Sequence, residues 1–134
     1  MANYYASFRS NYFKVKDIEK FKVWLSGFYG LELFESGEID YAFGFGSMDA
    51  GLPSGRHDEE LDDFVEIDFI DELSKHLAEG EVAIVQECGS EKLRYLIGYS
   101  VVVDWQGKQK TFNIDAAYSW ATKKYGKPVS RCEY

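Results

Sequence analysis

Apolar positions along this chain switch several times between a two-residue and a three-to-four-residue period. In residues 11–16, Phe13 and Val15 fall on one face and Tyr12, Lys14 and Lys16 on the other, as in a half-buried strand. Immediately afterwards Ile18, Phe21, Leu25 and Phe28 recur at spacings of three, four and three, the core stripe of a helix. Asp17 stands where a carboxylate accepts the free N–H groups of a first turn, and Gly30 is a natural stop. A short strand is predicted over 31–35, with a turn at Ser36-Gly37. In residues 40–46, Tyr41, Phe43 and Phe45 alternate with Ala42, Gly44 and Gly46, giving a strand aromatic on one face and nearly bare on the other. Glycines in such a strand mark the close approach of another backbone or a ligand.

An irregular loop is expected at about 46–60, where Gly51, Pro53, Ser54 and Gly55 cluster. Beyond it the pattern fits a short irregular or extended piece, then a helix capped by Asp68 that buries Ile70, Leu73 and Leu77 and ends at Gly80. Residues 81–88 and 92–104 read as strands of a hairpin turning at Gly89-Ser90, and Leu93, Tyr95, Ile97, Tyr99, Val101 and Val103 give the longest alternation in the chain. A strand over 109–114 precedes a last helix, capped by Asp115, with Ala117, Tyr118, Ala121 and Tyr125 inward and a stop at Gly126 and Pro128. The order βαββ-αβββα predicts an α+β class: an antiparallel sheet with helices packed on one face, in a single domain over residues 1–134.

Charge changes the picture more than composition does. Between positions 58 and 72 there are nine acidic residues and no Lys or Arg. Taking these from the net charge of −8 leaves the other 119 residues at about +1, so one segment carries the whole excess. Residues 1–24 carry +3 and residues 106–134 carry +4, which makes the chain polarised. An acidic chain is a poor default for direct nucleic-acid binding, because phosphate contacts need Lys and Arg. No apolar run approaches a membrane span, and the first residues lack a signal-peptide core, so a cytoplasmic protein is expected. Cys88 reads as a core thiol and Cys132 as an incidental free one.

No catalytic signature emerges. Gly44-Phe45-Gly46 lacks the third glycine of a dinucleotide motif, where Asp49 stands, and no phosphate-binding Gly-Lys-Ser/Thr occurs. His57 and His76 are not spaced as metal ligands, and Asp58, Glu60 and Asp62 lack the glycine turn and closing Glu of a calcium loop. No cofactor, metal or enzymatic activity is expected. The acidic run is the candidate site instead. If wholly helical it would place one charge per about 2.5 Å, against one per about 1.7 Å of duplex DNA axis. Asp58, Glu59, Glu60, Asp62, Asp63 and Glu66 are the expected partner-binding carboxylates, with Arg56 and His57 positioning the loop.

The segments Asn11-Tyr12-Phe13, Val15-Lys16-Asp17, Leu52-Pro53-Ser54, Glu66-Ile67-Asp68-Phe69, Glu72-Leu73 to Val82-Ala83, and Glu91-Lys92-Leu93-Arg94-Tyr95-Leu96 together span most of the chain. In these it resembles an uncharacterised family of small acidic proteins carried by phages, plasmids and other bacterial mobile elements. The resemblance implies no reaction. It implies a setting in which small acidic proteins act as anti-defence factors, some imitating DNA to occupy restriction or CRISPR nucleases.

The leading expectation is therefore a non-enzymatic interaction protein whose acidic surface docks on the basic surface of a host nucleic-acid-binding protein such as a nuclease. A pocket for a small ligand or substrate, built on residues 41–46 and the following loop, is the alternative. A structural homodimer is the third reading.

Overall fold

The computed structural model describes residues 4–133. It is an α+β fold in which three helices accompany a seven-stranded sheet, and every pairing among the described residues is antiparallel. The chain opens with a strand the apolar pattern did not reveal, β1 (Tyr5–Ser10). There Ala6, Phe8 and Ser10 face inward, so the buried side carries only one large apolar residue. The strand predicted over 11–16 shrinks to β2 (Phe13–Lys14).

These two strands are one path with a break. Strand β4 (Ala42–Ser47) pairs with β1 at Phe8 and Arg9 and with β2 at Phe13 and Lys14. Strand β3 (Glu32–Glu35) pairs with Phe43 through Gly46 of β4, overlapping both stretches, and therefore occupies the opposite edge. At the break, the Ser10 hydroxyl accepts the Phe45 N–H at 2.9 Å, replacing a ladder bond. The Asn11 carboxamide does the same on the other side, accepting the Ile84 N–H at 2.8 Å and donating to the Val82 carbonyl at 3.2 Å. A bulge thus turns the chain while the Ser10 and Asn11 side chains take up the Phe45 and Ile84 N–H groups beside it.

Helix α1 (Ile18–Ser26) begins at Asp17, whose carboxylate accepts the Lys20 N–H, as its position predicts. It closes at Gly27 rather than Gly30. After β4 come β5 (Gly55–Asp58) and β6 (Asp63–Glu66), a separate two-stranded hairpin, and then α2 (Phe69–His76). Asp68 caps α2 by accepting the Asp71 N–H at 3.1 Å, and Ile70, Leu73 and Leu77 are buried as expected. Strands β7 (Val82–Glu91), β8 (Tyr95–Asp104) and β9 (Gln109–Asn113) complete the sheet on the far side of β1.

The core lies between one sheet face and helices α1 and α2. Phe45, fully buried, packs its ring against Phe8, Phe13 and Phe69 at centroid distances of 6.2, 6.2 and 5.5 Å, all edge-on. Val85, Val101 and Val103 extend the same face toward β8, under Leu73 and Leu77. Among the described residues no helix packs its buried side against the other sheet face.

Three expectations change. The β7–β8 hairpin turns at residues 92–94, where Lys92 takes a positive φ of 52°, while Gly89 and Ser90 stay paired within β7. Cys88 is exposed, because the β7 alternation sends Ala83, Val85 and Glu87 inward instead. The last helix, α3 (Ala116–Tyr125), buries no residue: Tyr118 and Ala121 are half-buried while Ala117 and Tyr125 are exposed. Its start lacks the Asp115 capping bond, although Gly126 ends it in the left-handed conformation as predicted. Helices α1 and α2 already close the core, which leaves α3 outside it.

Gly46 meets the close approach expected of a glycine in this strand. A methyl group there would fall 2.7 Å from the Phe8 carbonyl oxygen and 3.0 Å from the Arg9 Cβ. Gly46→Ala should therefore force β1 and β4 apart and lower stability by about 2 kcal/mol, read as a reduced urea midpoint with little change in slope.

Candidate functional site

The acidic segment folds as a projecting hairpin leading into α2. Across β5 and β6, Gly55 faces Glu66, Arg56 faces Val65, His57 faces Phe64, and Asp58 faces Asp63. Alternation turns half-buried Arg56 and Val65 toward the body and leaves His57, Phe64 and Glu66 exposed. A methyl group at Gly55 would lie 2.4 Å from a ring carbon of Phe64, so the Phe64 ring rests over that glycine. Asp58 builds the turn: its Oδ1 accepts the N–H groups of Glu60 at 2.9 Å and Leu61 at 3.2 Å. Asp62 closes it in the left-handed region, at φ 49°, a conformation Asp tolerates.

Glu72 holds the hairpin to the body. Its Oε1 accepts the Trp24 indole N–H at 2.8 Å and pairs with the Arg56 guanidinium, so one carboxylate joins β5, α2 and α1. His76, one turn further along α2, stacks on Trp24 at 4.8 Å and meets Phe21 edge-on at 5.9 Å. Burial pushes the His76 imidazole below its ordinary range, against the pull of the Glu72 charge and with help from Lys16.

The nine acids thus divide by role. Asp58 forms the turn, Asp68 caps α2, Asp71 lies 3.5 Å from Lys75, and Glu72 ties the base. Glu59, Glu60, Asp62, Asp63 and Glu66 remain exposed, and among the described residues only Asp62 of these lies near a basic group, His57 at 3.4 Å. Leu61 and Phe64 are also exposed among them, at 67% and 63%. Of the predicted site residues, Glu59, Glu60, Asp62, Asp63 and Glu66 form one outer surface, Arg56 and Asp58 work inside the hairpin, and His57 flanks Phe64. Sequence reasoning missed Leu61 and Phe64. Their spacing fits a helix as well as a strand, and only the hairpin shows that they face solvent.

The pocket expected on β4 does not form on its aromatic side, since Phe43 and Phe45 fill the core. A concavity of about 680 Å³ lies instead on the helix-free face, with Ser7, Cys88, Gly98 and Ser100 along its floor and Phe34, Met48, Phe112 and Ile114 in its walls. Beneath it, Glu87 points the other way, into the protein. Its carboxylate accepts the hydroxyls of Tyr4 and Tyr99, each at 3.0 Å, and the Leu52 N–H at 2.6 Å, latching the 48–54 loop to the sheet. Burial and then the Glu87 hydrogen bond push the Tyr4 phenol up to about 12, and burial with the Glu87 charge pushes Tyr99 up as well. Both phenols stay protonated donors, suited to holding a carboxylate rather than to acting as bases.

Among the described residues no three His, Cys, Asp or Glu side chains are arranged to hold a metal ion, and no helix is long and apolar enough to cross a membrane. Comparison of the chain with protein-family models, curated proteins and solved structures returned no match.

Two outcomes follow from the anchor. Glu72→Ala should strip Arg56 and Trp24 of their shared acceptor, speed amide exchange over residues 55–66 more than in β7 and β8, and cost about 1 kcal/mol of global stability. For His76, the unfolded chain gains a proton near pH 6.5 while the folded protein holds the ring neutral to lower pH. Unfolding then takes up protons in that interval, so stability is full above about 6.5 and falls as the pH drops through it. His76→Gln should flatten that stretch of the profile in denaturant titrations.

Proposed function

We propose that this protein is a non-enzymatic, cytoplasmic interaction protein that uses the β5–β6 hairpin to occupy a basic, nucleic-acid-binding surface on another protein. The observation that carries this reading is the anchored hairpin itself. Five exposed carboxylates and two exposed apolar side chains sit together, with no Lys or Arg between Arg56 and Lys75. Carboxylates at such density repel one another, a cost that a basic partner relieves by replacing solvent with opposite charge. Leu61 and Phe64 supply what charge alone lacks, apolar area that leaves water on docking and slows dissociation.

The charged stretch acts as a short imitation of a phosphate track, and Glu72 with Arg56 holds it in one orientation before the partner arrives. That preorganisation limits the ordering entropy lost on binding. The resemblance to proteins of phages, plasmids and other mobile elements supports a defence protein of the host, such as a restriction or CRISPR nuclease, as the target class.

The test leaves Asp58 in place, because it forms the turn. A variant carrying Gln or Asn at Glu59, Glu60, Asp62, Asp63 and Glu66 is compared with wild type as bait in host lysate. Wild type should retain a nucleic-acid-binding protein that the variant loses. The recovered partner should bind the variant about tenfold or more weakly and with a shallower dependence on salt. Equal retention by both baits would remove the hairpin from the interface.

A further inference from the structure

We propose that the helix-free face of the sheet, continuing onto α3, is a binding surface for single-stranded nucleic acid. The net charge of −8 conceals this face, because the excess negative charge belongs to the hairpin. Alternation places Arg9 on this face, opposite the buried Phe8 and Ser10. Its guanidinium lies 5.2 Å from the Phe34 ring and 5.7 Å from that of Tyr12, draped over the space that Gly44 and Gly46 leave bare. On the opposite wall of the concavity, Lys110 sits 5.2 Å from the ring of Phe112, which is 53% exposed. Each wall therefore carries a cation lying over a ring, and the small floor residues Ser7, Gly98 and Ser100 leave depth between them.

The same chemistry continues past the rim. Ile114 lies over Gly98, so the chain enters α3 at the end of the concavity. On α3 Trp120 is 63% exposed, with Lys123 and Lys124 three and four residues on and hence on its side of the helix, and Lys127 follows. The acids between positions 106 and 133 are Asp115 and Glu133, and Arg131 lies within 3.6 and 3.2 Å of them. Among the described residues none of Arg9, Lys110, Lys123, Lys124 and Lys127 lies within ion-pairing distance of a carboxylate. Glu32, at the β3 edge, lines the concavity beside Arg9, and Glu87 also reaches its lining, with its carboxylate turned inward onto the Tyr4 and Tyr99 hydroxyls.

A ten-residue helix that buries nothing is marginal in water, so α3 has most to gain from an occupant. The charge complementarity is with a polyanion, and the exposed rings favour one whose flat bases are free to stack. A single strand offers both, with bases for the exposed Phe112 and Trp120 and phosphates for the cations beside them. Recognition of this kind is tolerant of sequence. It is also independent of the hairpin, so its failure leaves the proposed function standing.

The experiment is fluorescence anisotropy of a fluorescein-labelled oligothymidylate titrated with the full chain at low salt, with sedimentation velocity of the protein alone. Binding should appear, quench tryptophan emission, and weaken as salt rises. Phe112→Ala should weaken it about tenfold, by the loss of one stacking platform. Lys123→Gln with Lys124→Gln should lower the salt slope by about 1.4. Both sites are exposed, and an unchanged far-ultraviolet circular dichroism spectrum checks the fold; the five-carboxylate hairpin variant should bind at least as well as wild type. No anisotropy change at low salt, or equal affinity in all variants, would overturn the proposal. So would a dimer of the protein alone that the Phe112 and Lys123/Lys124 variants abolish, which would assign the face to a second copy.

Discussion

Everything in this fold depends on the two-sidedness of β4. Its phenylalanines, Phe43 and Phe45, point into the aromatic cluster beneath α1 and α2, while Gly44 and Gly46 point the other way and permit β1 to approach within what would be a steric clash for any other residue. The buried rings pack in the centre of the aromatic cluster, and the bare glycines leave room for Arg9 to lie over Phe34. One strand thus determines which face is sealed and which stays open. With α1 and α2 committed to the sealed face, the open one is left to side chains alone.

The second constraint is the burial of Glu87. A carboxylate in the sheet interior is tolerable because two phenols and one backbone N–H satisfy it. This arrangement latches the middle of an irregular loop whose start is held by the Ser7 hydroxyl on the Met48 carbonyl. That loop precedes the hairpin, and Glu72 fixes the hairpin's base, so one buried and one half-buried carboxylate position the exposed ones.

Legibility in the sequence followed the strength of the local signal. Helices α1 and α2, their Asp caps and their buried stripes were readable because apolar spacing and capping chemistry agree at Asp17 and Asp68. Strand β1 was not, since Ser10 occupies a buried place and Phe8 is the one large residue marking the face. Cys88 was placed wrongly because both faces of β7 are apolar enough to pass for the core, and a buried Glu is the less expected choice. For α3, Ala117, Tyr118, Ala121 and Tyr125 make an adequate stripe, but whether a stripe finds a partner is a tertiary matter. The hairpin was half legible: its charge was plain, while the division of its acids between internal and external duties needed the register of β5 against β6.

That division has an evolutionary consequence. Asp58, Asp68 and Glu72 are committed to the turn, the cap and the tie, so drift at those positions is penalised by folding whatever the partner. Glu59, Glu60 and Glu66 carry no comparable duty in the fold, while Asp62 takes a left-handed place that Asn also tolerates and the Asp63 carboxylate accepts only the adjacent Phe64 N–H at 2.7 Å. A lineage bearing this scaffold is free to rewrite its outer surface, one residue at a time, and the frame that presents that surface need not change with it.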